Sequence, residues 1–456
     1  MTEIWAETAL LPGGWAADVL VRLDDAGRIA AVTPGAEAPA GAARRGALLP
    51  APVNLHSHAF QRAMAGLTEA RGPDPADSFW TWRRLMYRFL DQLGPDEVQV
   101  IAAYVQMQMA EAGYAAVGEF HYLHNAPGGG AYADRAELSG RIAAAAAETG
   151  LGLTLLPVFY QYGGCDLRPL APGQDRFFNT PETFAALHDG AARALAALPP
   201  DARLGIAPHS LRAADPAGLA AVLPLAGDGP VHIHVAEQQA EVDELIAHRG
   251  ARPVEWLLAN APVDARWCLI HATQMVAEET LAMAASGAVA GLCPITESSL
   301  GDGIFDGVRF LGAGGAIGIG SDSNIRISLS EELRTLEYSQ RLRDRARAVL
   351  ATPERSTGRR LWEAVAAGGA QAAGRASGAI APGLWADLVA LDTGAGELLG
   401  LSGDRLLDSF AFQGDDRLVS DLWSAGRHIV TGGRHVAHAP ITARYGALVT
   451  RLRGLL

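Results

Sequence analysis

The segment Pro230–His271 reads PVHIHVAEQQAEVDELIAHRGARPVEWLLANAPVDARWCLIH. Its two apolar runs, Pro230–Val235 and Trp267–Ile270, are short, and each ends in polar residues rather than in a hairpin turn. Between them, Ala240–Ala259 sets apolar residues at helical spacing among Glu and Ala. Two strands joined through a helix predict a parallel βαβ unit.

The unit recurs outward in both directions. Runs at Ala47–Leu55, Ala115–Phe120, Leu151–Phe159, Leu204–Ala207, Ala288–Cys293 and Ala316–Gly320 bring the expected strands to eight. Helical spacing fills Pro95–Ala112, Leu138–Thr149, Thr183–Leu198, Pro216–Ala226 and Glu278–Ser286. Eight buried strands alternating with helices predict an α/β fold, a (β/α)8 TIM barrel over residues 49–375, rather than an open sheet. The flanks differ. Ile4–Thr33 and Leu388–Val436 carry short, Gly-punctuated alternating segments such as Ala17–Leu23 and His428–Gly433, which predict small antiparallel strands. Residues 1–48 and 376–456 are therefore expected to form one small β-sandwich domain beside the barrel, with Val32–Gly46 as a linker.

Composition narrows the chemistry. Of 456 residues, 49% are hydrophobic and 19% charged, and the net charge is −13. An acidic globular chain of this kind is expected to bind neither nucleic acid nor an anionic membrane surface. It contains no lysine, so all 37 basic residues are arginine. That excludes a P-loop lysine, a Schiff base, a kinase strand lysine and a carbamylated lysine bridging two metals, because Arg stays protonated. Cys165, Cys268 and Cys293 are widely spaced without a CxxC, which argues against a disulfide framework or a Cys zinc site. Met1–Leu11 lacks the basic-then-apolar order of a signal peptide, and no run of ~18 uncharged apolar residues occurs, so a cytoplasmic location is expected.

In such a barrel, reactive residues come from the carboxyl ends of the strands. The first run ends Asn54-Leu55-His56-Ser57-His58, and alternate residues of an extended segment face one way, so both imidazoles can reach one ion. The fifth ends His232-Ile233-His234-Val235-Ala236-Glu237, the sixth at His271, and the eighth in Gly320-Ser321-Asp322. His56, His58, His234 and Asp322 would make a nitrogen/oxygen site for one zinc ion with a position open to water; iron and manganese also accept such donors. A zinc-bound water ionises near neutral pH and gives a nucleophile without Lys, Ser or Cys. The expected catalytic groups are Glu237, to protonate a leaving nitrogen, His271, to orient the water or stabilise developing charge, and Asp322, to accept a proton while ligating. His232 shares a strand face with His234 and has either a packing or a supporting role.

HxH after strand one, HxxE after strand five, His after strand six and SD after strand eight together resemble the mononuclear deaminase branch of the amidohydrolase superfamily. Gly378–Val389 resembles the segment by which those enzymes return from barrel to β-sandwich. More narrowly, His56–Gly66 (HSHAFQRAMAG) and Phe79–Arg83 (FWTWR) resemble the formimidoylglutamate deiminase family of histidine catabolism. Glu119-Phe120-His121-Tyr122, Pro208–Arg212 and Gly320–Asn324 are similar to it as well. The resemblance implies hydrolysis of N-formimino-L-glutamate to N-formyl-L-glutamate and ammonia with one zinc per chain, and a homodimer. It also implies that Gln61, Tyr122 and His209 face the substrate. A dicarboxylate substrate needs cations, and a chain without Lys must offer Arg, whose fork can grip a carboxylate in two places. Arg212 follows strand four and Arg83 lies in the excursion after strand one, with Arg84 its competitor. The rival readings are a deaminase of a purine, pyrimidine or other aminated ring, and a non-catalytic scaffold on the same fold.

Overall fold

The computed structural model describes residues 2–67, 69, 86–87 and 89–454. Eight positions around one barrel are filled by Val53–Ser57, Ala116–His121, Gly152–Phe159, the two short pieces Arg203–Leu204 and Ala207–Pro208, Val231–Val235, Trp267–His271, Val289–Leu292 and Ala316–Ile319. Neighbouring strands pair in parallel from the fifth through the eighth to the first and on to the fourth. The ring closes between the fourth and fifth through the bridges Ile206↔Val231 and Ser210↔His234. All of Gly152–Phe159 is buried, as expected for a parallel strand covered on both faces.

Three segments differ from the sequence reading, each for a local reason. Ala47–Leu55 is not one strand: Ala43–Pro50 belongs to a second sheet, and the chain enters the barrel only at Val53. Pro50 and Pro52 flank the crossing, and a residue without an N–H cannot carry a ladder through. The end of the expected linker, Ala43–Gly46, is accordingly strand. Leu204–Ala207 is interrupted at Gly205, where a Cβ would lie 2.3 Å from the Pro230 carbonyl oxygen of the adjoining strand. Ala240–Ala259 is two helices, Gln239–Arg249 and Pro253–Asn260. Gly250 ends the first in the left-handed region at φ 72°, and Pro253 opens the second.

Both chain ends build an eight-stranded mixed sheet in the order Arg434–His435, Arg427–Thr431, Val419–Ser424, Leu388–Leu391, Ala43–Pro50, Thr2–Leu11, Gly14–Leu23, Ile29–Thr33. It has an apolar core of its own, including Ile4, Val19, Val21, Leu48, Leu388 and Trp423. Past the last strand the chain forms the helix His438–Arg453, whose Tyr445 stacks on Tyr104 of the barrel helix Pro95–Glu111 at 3.7 Å. No helix among the described residues is long and apolar enough to cross a membrane.

Sheet and barrel are tied by a buried ionic joint. Arg375 donates to both Asp387 oxygens at 2.6 and 2.9 Å and lies 2.9 Å from Asp201, which also receives Arg427 at 2.7 and 2.8 Å. Removing one partner of such a set strands charge in the interior. Arg375→Met is expected to lower unfolding stability by about 3–5 kcal/mol, read as a shift in denaturant midpoint at unchanged slope. A shift below ~1 kcal/mol would mean that the two carboxylates find water.

Candidate active site

The strand ends bring His56, His58, His234 and Asp322 together at the carboxyl face, all buried, with one donor atom from each within 4.8 Å of the others. His56 Nε2 lies 3.1 Å from His234 Nε2 and 3.4 Å from Asp322 Oδ1, and His58 Nε2 lies 3.1 Å from the same oxygen. Donors bound at ~2.0–2.1 Å to one ion stand roughly 3–3.5 Å apart, so these spacings suit a single ion.

Ring orientation is set from behind. His58 Nδ1–H donates to the Phe120 carbonyl at 2.9 Å, and His234 Nδ1–H donates to the His209 carbonyl at 3.0 Å. With the proton on Nδ1, each ring turns a lone pair on Nε2 toward the cluster. Burial, then the neighbouring imidazoles, hold His234 well below its ordinary pKa. Burial and His58 bring His56 down to about 3. Burial alone would raise the Asp322 carboxyl, but the adjoining His56 and His58 hold it well below the usual range. Neutral imidazoles beside an ionised carboxylate are the protonation states in which these groups ligate a metal.

Backbone and side chains fix Asp322 to the first strand. Its N–H donates to the His56 carbonyl at 2.9 Å, and its carbonyl accepts the His58 N–H at 2.9 Å. Behind it, Asn54 and Ser321 exchange two hydrogen bonds of 2.7 and 3.1 Å, Ser321 Oγ donates to Asn324 at 2.6 Å, and Asn324 donates to Ser57 at 3.1 Å. A Cβ at Gly320 would sit 2.6 Å from that of His56, so only glycine lets the two strand ends approach this closely. Ala236, His271 and Asp322 adopt left-handed φ of 49°, 68° and 47°. Non-glycine residues are uncommon in that region and cluster where surrounding structure over-determines them.

Glu237 and His271 stand at the edge of the cluster. His271 Nε2 is 3.7 Å from Glu237 Oε1 and 3.8 Å from Asp322 Oδ2, and its Nδ1 is 3.3 Å from Glu297 Oε1. Burial works to lower the His271 pKa, but Glu237, Glu297 and Asp322 outweigh it and push it up to about 10. His232, two residues before His234, donates Nε2–H to the Ala372 carbonyl at 2.8 Å and lies outside the recess lining.

The recess above the cluster encloses about 540 Å³, its open mouth included. Gln61, Tyr122, His209, Arg212, Glu237 and His271 all line it. Gln61 Nε2 donates to Tyr122 Oη at 2.6 Å, while Gln61 Oε1 is buried without a hydrogen-bond partner among the described residues. The Arg212 side chain is 12% exposed, its Nε 3.9 Å from Glu241 Oε2. Arg83, with Arg84, Trp80 and Trp82, lies outside the described residues.

Sequence reasoning gave no role to three buried carboxylates here. Glu119 accepts the Ala59 N–H at 2.7 Å beneath the His58 loop, and burial pushes it up to about 7. Glu297 braces His271, and Asp302 adjoins Glu237 and His271. Glu297 belongs to the helix Pro294–Leu300, where an acidic residue reads as an ordinary helix face, and Asp302 follows in a Gly-flanked loop.

Known proteins resemble the chain along nearly its whole length. Residues 47–429 match the amidohydrolase family, and residues 1–46 match the N-terminal domain of formimidoylglutamate deiminase HutF. The chain is 50% identical over 437 residues to the formimidoylglutamate deiminase of Pseudomonas aeruginosa, covering 95% of this chain and 96% of that one. It is 29% identical over 358 residues to the 8-oxoguanine deaminase of the same organism, covering 76% and 74%. Among solved structures, an amidohydrolase from Brucella melitensis superposes with a TM-score of 0.95 at 47% identity, over 99% of this chain and 100% of that one. A zinc-bound adenosine deaminase from Xanthomonas campestris shares the fold at 22% identity, with a TM-score of 0.81 over 99% and 98%. With four candidate metal donors at its strand ends and matches spanning nearly its whole length, the chain belongs to the amidohydrolase family and, within it, to the formimidoylglutamate deiminases.

Proposed function

We propose that the protein hydrolyses N-formimino-L-glutamate to N-formyl-L-glutamate and ammonia, with one zinc ion held by His56, His58, His234 and Asp322. The observation that carries this reading is the convergence at one recess of four donors close enough to share one ion, the pair Glu237 and His271, and a largely buried arginine. When bound, the ion supplies a water acidic enough to act as nucleophile at neutral pH.

The chain's own residues do the rest. Asp322 takes up a proton of the attacking water, and His271 donates a hydrogen bond that orients it. Glu237 carries a proton to the amidine nitrogen, which then departs as neutral ammonia rather than as an amide anion. Arg212 receives a glutamyl carboxylate in a charge-assisted pair, and we assign the second carboxylate to Arg83. Gln61, Tyr122 and His209 line the path between the reacting carbon and those carboxylates. A coupled ammonia assay on the zinc-loaded enzyme tests the reading. Release from N-formimino-L-glutamate and none from guanine or cytosine is the expected result; release from a base alone would replace this substrate by an aminated ring.

A further inference from the structure

Beside the four-donor cluster stands a second group, Glu237, His271 and Asp302, all buried, with one donor atom each within 4.8 Å of the others. Asp302 is fixed from several sides. Its N–H donates to the Glu297 carbonyl at 2.9 Å, Gln274 Nε2 donates to its carbonyl, and Gln238 Nε2 donates to its Oδ1. Its Oδ2 is buried and has no hydrogen-bond partner among the described residues. A buried carboxylate oxygen in that condition is costly unless something positive or protic meets it.

The surrounding spacings fit a cation. Glu237 Oε1 and Asp322 Oδ2 stand 3.7 and 3.8 Å from His271 Nε2, too far for hydrogen bonds but within the ~3–4 Å expected of donors sharing one ion at ~2.1 Å. Asp322 turns its other oxygen to His56 and His58, so it presents one oxygen to each group. Negative charge here is poorly compensated: Glu237, Glu297, Asp302 and Asp322 surround one imidazole.

We propose that Glu237, His271 and Asp302 form a second, weaker divalent-cation site, and that filling it inhibits the enzyme by occupying the group that delivers the proton and the group that orients the water. Binding at this site stands on the geometry alone, whereas the inhibition rests on the roles given above to Glu237 and His271.

The test adds excess zinc to the one-zinc holoenzyme and to crystals of it. Anomalous scattering at the zinc edge is expected to show a second peak between Glu237, His271 and Asp302, and ammonia release is expected to fall as zinc rises. Asp302→Asn should keep the first peak, lose the second, and need at least ~10-fold more zinc for equal inhibition. Soaked wild-type crystals without the second peak overturn the site, and they do so without any variant having to fold. Equal zinc sensitivity of Asp302→Asn overturns it too, and a second peak at undiminished activity overturns the inhibition. The scattering readout uses no substrate, so it stands apart from any failure of the proposed deamination.

Discussion

Glu237→Gln is expected to retain its metal and to lose about 10²–10⁴-fold or more in kcat. The amide has the shape of the carboxyl but cannot carry a proton, and none of His56, His58, His234 and Asp322 is disturbed. The backbone around it should hold, because the Glu237 N–H donates to Glu241 at 3.2 Å and its carbonyl accepts from Thr273 Oγ1 at 2.8 Å. Metal content and kcat measured on one preparation separate a lost proton carrier from a collapsed site. A near-native rate would remove Glu237 from the reaction.

Arg212→Met should act on recognition instead of on proton transfer. A charge-assisted hydrogen bond contributes about 1.5–3 kcal/mol, so a carboxylate losing two of them costs roughly 10²–10⁴-fold in kcat/KM. Zinc content should be unchanged, and a small amidine without carboxylates should be turned over as by the wild type. Glu241 complicates the single variant, since burial raises its pKa and Arg212 opposes that. The double variant Arg212→Met/Glu241→Gln removes the stranded carboxylate and should show the same loss. If both variants keep full kcat/KM on the dicarboxylate, Arg212 does not bind it.

The metal-site candidates were legible because a barrel advertises its chemistry: apolar strands end abruptly, and whatever polar residue follows points into the mouth. His56, His58, His234 and Asp322 all stand at such ends and meet as the spacing implied. What supports them was not legible. Asn54 and Ser321 join residues at opposite ends of the barrel sequence, and neither carries a periodicity that names its partner. Glu297 and Asp302 sit on a helix and a loop, where acidic residues are normally solvated, and only the closure of the ring buries them. The split of Ala47–Leu55 had a visible cause in Pro50 and Pro52, yet hydrophobicity runs unbroken through both strands. A Gly–Pro pair likewise divided the segment after Glu237 into two helices while the apolar spacing continued across it.

In the second sheet, Ala47 lies opposite Leu391 and Pro50 opposite Leu388. The ribosome therefore delivers one side of this ladder at the outset and its partner only after the entire catalytic body has been synthesised. Throughout that interval Ala43–Pro50 is a strand with one hydrogen-bonding edge unclaimed, the kind of surface that chaperones shield and that seeds aggregation. A nascent chain that stalls before Leu388 thus displays, in an open sheet edge, a sign of its own incompleteness.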